Sequence, residues 1–273
     1  AAMELNDKVA LVLGAVKGIG KGIALALAGQ GVRTALTYYD WEESLDDLKR
    51  DMAATGSEHM VERVNLLNPD AIADLFAKID DRFGRLDILI NNIERGGWPV
   101  VHGPYSGEQW DLEIETTLKA KRWVFDTALP RLKASGDGAA INISSIAGVL
   151  GRCGPADILF NDGYAAANRA VALLTETWAR MGAPEVRVNE IMLGLVETRH
   201  GPGTRGWGLL SGEQRKALIE HTLIPRVGRI DDVTKAIVFI LKDAPFMTGS
   251  VLRLDGGFVL GGEKVGPMPK GVV

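Results

Sequence analysis

Apolar positions along this chain fall into two alternating patterns. Val9 to Leu13 is an unbroken apolar run, as expected for a strand buried on both faces, and after a glycine-rich turn Ile19, Ile23 and Leu27 follow at helical spacing. A second strand over about Val32 to Tyr38 leads to a helix marked by Leu45, Leu48 and Met52, and a third short strand spans Met60 to Val64. Asn68-Pro69 makes a cap and first-turn pair, Ile72, Leu75, Phe76 and Ile79 form one stripe, and Gly84 closes that helix. Strand four covers Leu86 to Ile90. Ser106 with Gln109 resembles a capping box that opens a long helix to about Leu132, before strand five at Ala139 to Ile143. A helix from about Tyr164 to Met181, a strand at Val186 to Met192, a helix from about Asp231 to Leu241 and a strand at Val251 to Leu254 complete a predicted set of seven strands. Repeated strand–helix–strand units favour a doubly wound α/β fold, a parallel sheet with helices on both faces.

Two stretches break this rhythm: Gly148 to Gly163, and Glu197 to His221, which is rich in Gly and Arg and carries Trp207. Both follow strand ends. In an open α/β sheet the ligand crevice lies beyond the carboxyl ends of the strands, so these stretches are candidate substrate walls, with a substrate-side lobe at about 198–224. The alternative, that they are only long surface connections, stays open at this point. The tail 261–273 is rich in Gly and Pro with little periodicity, which suits either a mobile end or a segment crossing to a neighbouring subunit.

Composition bounds the function classes. With 273 residues, 46% of them hydrophobic, the chain can bury a large core as one domain over 1–273. A formal net charge of −4 with both signs scattered gives no basic patch to attract nucleic acid or an anionic membrane. Cys153 is the only cysteine, so no intrachain disulfide forms, which suits a reducing compartment. Met3 looks like a natural start with the first strand close behind it, leaving no room for a signal peptide, and no uncharged apolar stretch approaches the ~18 residues of a membrane span. A cytoplasmic protein without membrane or nucleic-acid partners is expected, and no metal site.

Gly14-Ala15-Val16-Lys17-Gly18-Ile19-Gly20 lies where a phosphate-binding turn belongs, between the first strand and its helix. Glycines let the backbone approach a pyrophosphate, and the helix N-terminus offers N–H groups and the positive end of its dipole. A tight turn with no ligand is the plainer alternative. The Gly-x3-Gly-x-Gly spacing is similar to that of short-chain dehydrogenases/reductases, and further matches follow in order. They are Asn91-Asn92, Asn142-Ile143-Ser144-Ser145, Tyr164, Val186-Arg187-Val188-Asn189, Gly194-Leu195-Val196-Glu197-Thr198, Thr248-Gly249 and Asp255-Gly256-Gly257. The resemblance spans about Asp7 to Gly257 and implies a Rossmann-like fold that binds a nicotinamide dinucleotide.

The resemblance also implies roles. Gly14, Gly18, Ile19 and Gly20 line the pyrophosphate, Asn65 and Leu66 flank the adenine, Asn92 borders the ribose, and Val196 with Thr198 faces the nicotinamide carboxamide. Asn65 as a strand-end cap and Thr198 as a turn former are the structural alternatives. At the end of strand two, where a carboxylate would accept from the ribose hydroxyls, stands Tyr38, with no acid until Asp40. Lys17 resembles the basic residue of NADP-preferring members, so NADP is the expected cofactor and NAD the alternative. An ordinary solvated lysine remains open. The family associates through its two long helices, here about Glu108 to Leu132 and Tyr164 to Met181, which implies a homodimer or homotetramer.

Ser145 is the expected hydrogen-bond donor to a substrate carbonyl and Tyr164 the acid/base. A tyrosine hydroxyl has a reference pKa near ~10, so it works near neutral pH only beside a positive charge. In the family a lysine four residues after the tyrosine supplies it, one helical turn on. Here Tyr164-Ala165-Ala166-Ala167-Asn168 puts an asparagine there, which can hold ribose hydroxyls but carries no charge. Other departures accompany it: Thr117 stands in the place of the family's active-site asparagine, Leu13 and Leu193 replace a threonine and a proline, and Cys153 to Asp162 resembles an insertion. Lys121, four residues after Thr117, is a conceivable substitute cation, although a surface or subunit-interface lysine is the plainer reading. His102, His200 and His221 have no partner visible in the sequence. The leading expectation is NADP-dependent interconversion of a small-molecule carbonyl and secondary alcohol at an atypical site. Its rivals are a catalytically impaired dinucleotide-binding member acting as sensor or structural partner, and reduction of an activated double bond in the same pocket.

Overall fold

The computed structural model describes residues 3–93, 106–198 and 207–271. Seven strands, β1 (Val9–Val12), β2 (Arg33–Tyr38), β3 (His59–Arg63), β4 (Ile88–Asn91), β5 (Gly138–Ser145), β6 (Val186–Leu193) and β7 (Val251–Leu254), form one sheet in the order β3-β2-β1-β4-β5-β6-β7. Every neighbouring pair is parallel. The helices between them are α1 (Gly18–Gly29), α2 (Leu45–Ala54), α3 (Pro69–Phe83), α4 (Gly107–Ile114), α5 (Ala120–Ala134), α6 (Asp162–Gly182), α7 (Gly212–His221) and α8 (Ile230–Val238). The expected Rossmann-like architecture is therefore present.

Strand alternation explains the unbroken apolar runs. Ala10 and Val12 of β1 point to one face and pack with Ile23 and Leu27 of α1 and Val233 and Ile237 of α8. Val9 and Leu11 point to the other, against Ile72 and Phe76 of α3, Val124 and Phe125 of α5 and Trp178 of α6. Phe125 and Trp178 stack with ring centroids 4.4 Å apart, locking α5 onto α6. Asp87 fastens the amino end of the sheet: its carboxylate accepts from Val9 N at 2.9 Å and from Arg85 Nη2 at 2.6 Å, beside Lys8.

Several boundaries differ from the pattern-based expectation. The single long helix after Ser106 is interrupted by a five-residue π turn, Glu115–Lys119, which divides α4 from α5. Its residue Thr116 back-bonds through Oγ1 to Leu112 O at 2.6 Å, a contact apolar periodicity does not register. α7 lies inside a stretch expected to be loop, opened by a reciprocal Ser211–Gln214 capping box. β5 runs two residues past its expected end, to Ser145. Within the insertion-like segment, Ala156, Leu159 and Phe160 are buried and pack with Tyr164, Trp207 and Leu218 in a third cluster at the substrate side. No helix of the described residues is long and apolar enough to cross a membrane.

Candidate functional site

Connections from β1 run first to β2 and β3 on one side, then return to β4 and β5 on the other, so the carboxyl ends of β1 and β4 flank the topological switch point. The glycine turn stands at that point. Leu13 N donates to Ile90 O at 3.1 Å and Ala15 N to Thr37 O at 2.8 Å, pinning the turn between the ends of β4 and β2. Gly14 has φ +61°, and a Cβ there would lie 2.5 Å from Asn92 O. A Cβ on Gly20 would collide with Gly14 O and come within 2.8 Å of Asn92 Nδ2. The turn is thus a backbone cradle that a side chain at either glycine would fill.

This cradle fits the pyrophosphate of a dinucleotide. No side chain caps α1 and no acid occupies its first turn, which leaves the positive end of the helix dipole to an anion. Asn92 Nδ2 donates to Leu13 O and Gly14 O at 3.3 and 3.4 Å, lacing β4 to the turn. From beyond β6, Thr198 packs on Gly18, its Cβ 3.4 Å from where a glycine Cβ would stand, while buried Val196 bridges to Gly228. Gly14, Gly18, Gly20, Asn92 and Thr198 are therefore brought together, and Ile19 packs into the core beneath them. Asn65 and Leu66 stand beyond β3: Asn65 Oδ1 accepts from Leu67 N at 3.0 Å in a local turn, and Leu66 is buried in the core.

At the end of β2, the Lys17 amine lies 2.9 Å from the centroid of the Trp41 ring. Arg63 stacks its guanidinium over Tyr39 nearby, at 5.3 Å. Two cation–aromatic pairs thus stand close to the end of β2. Trp41 had no sequence signal beyond its proximity to Tyr38.

The candidate catalytic residues lie where β5 outruns β4. Pairing with β4 ends at Asn91–Asn142, whereas β5 continues against β6 to Ser145–Leu193. Backbone groups on the uncovered edge need other partners. Ser145 N donates to Asn168 Oδ1 at 3.0 Å, and Ile143 O accepts from Lys121 Nζ at 2.9 Å. Asn168 Nδ2 in turn donates to Tyr164 O at 2.9 Å, so one buried amide ties the strand end to the first turn of α6. Asn161 fixes that turn: its Oδ1 accepts from Tyr164 N at 2.8 Å and its Nδ2 donates to Glu113 Oε1 at 2.7 Å. Ser145 Oγ accepts from Ala147 N at 3.1 Å, and the Tyr164 ring packs 5.9 Å from that of Phe160.

Asn168, which can hold ribose hydroxyls, is fully buried and makes one hydrogen bond at each end of its amide, to Ser145 N and to Tyr164 O. Lys121, for which a surface or interface position was the plainer expectation, is also fully buried. The π turn shifts the helical phase after Thr117, and Lys121 faces the sheet. Glu190 was missed altogether. It is buried on β6, and its carboxylate accepts from Ser144 Oγ and from Thr175 Oγ1. Burial pushes its pKa above the usual carboxylate range, against the opposing pull of the Ser144 hydroxyl, the Lys121 charge and Thr175. An acid inside the predicted strand Val186 to Met192, followed directly by Ile191 and Met192, was the available signal. Thr117 Oγ1 is buried without a hydrogen-bond partner among the described residues. His102 and His200 lie outside the described residues, and His221 ends α7 with its ring 4.6 Å from that of Phe258.

Comparison with known proteins agrees with this geometry. Residues 14–259 match the family model described as Enoyl-(Acyl carrier protein) reductase. A 3-oxoacyl-[acyl-carrier-protein] reductase of Thermotoga maritima is 30% identical over 262 residues, covering 94% of this chain and all of that protein. The cis-4-hydroxycyclohexanecarboxylate dehydrogenase of Sinomonas cyclohexanicum is 31% identical over 92% of this chain and 96% of its own. A crystal structure described as a candidate short-chain alcohol dehydrogenase from Sinorhizobium meliloti superposes with a TM-score of 0.81 at 26% identity, covering 94% and 98% of the two chains. With the parallel sheet, the glycine cradle at the switch point and these full-length likenesses in agreement, the chain belongs to the short-chain dehydrogenase/reductase family.

Proposed function

We propose that this protein is an NADP-dependent oxidoreductase that interconverts a carbonyl and a secondary alcohol, with Ser145 and Tyr164 handling the substrate oxygen. The observation that carries this reading is the buried link Ser145–Asn168–Tyr164 at the carboxyl end of β5, next to the glycine cradle. Gly14, Gly18 and Gly20 with the start of α1 would hold the pyrophosphate of the nucleotide, beside Asn92 and Thr198, and the nucleotide would supply or accept the hydride. Ser145 Oγ accepts the Ala147 N–H, which orients the hydroxyl and leaves its hydrogen for the substrate oxygen. Tyr164 then gives that oxygen its proton in reduction and takes it in oxidation. Relatives named for 3-oxoacyl-[acyl-carrier-protein] and for cis-4-hydroxycyclohexanecarboxylate make a 3-oxoacyl ketone and a cyclohexane hydroxy acid the first substrates to try.

Lys17 sets the nucleotide preference. A charge-assisted contact to a 2′-phosphate is worth ~1.5–3 kcal/mol, so Lys17→Ala lowers the preference for NADP(H) over NAD(H) by roughly ten- to a hundredfold. Competitive binding of the two nucleotides to both proteins measures this. A native preference for NAD(H) contradicts the assignment.

A second reading, a dinucleotide-binding sensor or structural partner, draws on the inward-turned amide of Asn168. Binding of NADP(H) without hydride transfer to any ketone favours it over the enzyme. For either role the expected assembly is a homodimer or homotetramer, and Leu173, 65% exposed on α6, suits a subunit contact.

A further inference from the structure

We propose that Lys121 is the positioning cation of this site, supplying from the sheet side of α5 the positive charge that favours the Tyr164 phenolate. This inference rests on the assignment of Tyr164 as acid/base, and it concerns the source of the charge such a tyrosine requires. Position 168, one helical turn after Tyr164, holds a neutral amide committed to Ser145 N and Tyr164 O. Lys121 is fully buried, an uncommon place for a lysine unless polar groups receive its amine. Its Nζ donates to Ile143 O at 2.9 Å, on the same uncovered edge of β5 that Ser145 ends.

Strand geometry sets the distance. Ile143 and Ser145 are two residues apart on one edge, about 7 Å at a rise of ~3.4 Å per residue, and the Asn168 amide ties Ser145 N to the Tyr164 turn, which puts the ammonium on the order of 10 Å from Tyr164. At that separation and an effective dielectric constant near ~20, one charge moves a tyrosine titration by about one pH unit. Among the described residues, Glu190 on β6 and Glu113 on α4 bring carboxylates to the elements around this region, and His221 at the end of α7 lies against Phe258, which shares a buried cluster with Tyr164. Glu190 opposes Lys121 when ionised, and burial raises its pKa and so narrows the range over which it does. Asn91 Nδ2 donates to Lys121 O at 3.1 Å, which holds this part of α5 against β4.

The test reads Tyr164 directly and needs no turnover. Ultraviolet difference titration of the full-length protein against Tyr164→Phe isolates the ionisation of Tyr164 from that of the other tyrosines. Lys121→Met raises this titration by about one pH unit, and Glu190→Gln, which removes the opposing carboxylate and keeps the lysine, lowers it. An unchanged Tyr164 titration in a folded Lys121→Met protein overturns the proposal, because a lysine that only fills the strand edge would lower stability without moving it. Should Lys121→Met fail to fold, Lys121→Gln is read by the same titration: an upward shift supports the proposal, and no shift or a downward one overturns it. A protein that oxidises no alcohol but shows both shifts would sink the enzymatic reading and leave this one standing.

Discussion

Replacing Tyr164 by phenylalanine is expected to lower turnover about 10²- to 10⁴-fold while leaving NADP(H) binding nearly unchanged, since the substitution removes only the acid/base hydroxyl. The ring is buried against Phe160, and phenylalanine keeps that packing. The start of α6 also survives, because Asn161 caps it through the backbone N–H of residue 164 and Asn168 binds the backbone carbonyl. The change therefore separates chemistry from structure. Steady-state kinetics with a ketone substrate, beside nucleotide titration of the same preparation, distinguishes the two. A Tyr164→Phe enzyme that keeps its turnover would show that the proton comes from elsewhere.

Asp87→Ala should give the largest loss of stability, about 3 kcal/mol at neutral pH. The carboxylate is fully buried at the amino end of β4, where it receives Val9 N from β1 and a bidentate Arg85. Burial by itself would raise its pKa, but the Arg85 hydrogen bonds, the Val9 N–H and the charges of Arg85 and Lys8 outweigh that and hold it below the usual carboxylate value. A folded pKa below the unfolded one means that this group's charge stabilises the protein above the unfolded value of ~3.9, a contribution lost as pH falls through the folded value. Urea denaturation at pH 7 should thus show a wide gap between native and Asp87→Ala proteins, and the gap should narrow below about pH 4. A gap that does not change with pH would assign the effect to packing.

Most of the fold was legible because the sheet is buried on both faces. Continuous runs such as Val9 to Val12 and Ile88 to Ile90 declare strands of that kind, and the Asn68-Pro69 cap and the left-handed Gly84 bracket α3 as expected. The glycine cradle was equally visible, since close backbone approach demands glycine at Gly14 and Gly20. What stayed hidden depended on helical phase and on long-range partners. Apolar periodicity cannot reveal that a π turn at Glu115–Lys119 rotates Lys121 from the surface into the core. Nor does Asn168 announce that its amide will be claimed by Ser145, 23 residues earlier, because that demand arises only when β5 outruns β4. Glu190 illustrates the same limit: an acid in a buried strand is conspicuous, but its partners Ser144 and Thr175 lie on separate elements.

Hydride transfer between NADP(H) and a carbonyl carbon at Ser145 and Tyr164 is read most directly by incubating the protein with NADPH deuterated at the transferring position and a panel of ketones that includes a 3-oxoacyl thioester and a 4-oxocyclohexane acid. The expected product is an alcohol carrying deuterium at the former carbonyl carbon, formed far more slowly by Tyr164→Phe. Tight NADPH binding with no deuterium in any alcohol, or equal rates from the native and Tyr164→Phe proteins, would contradict it.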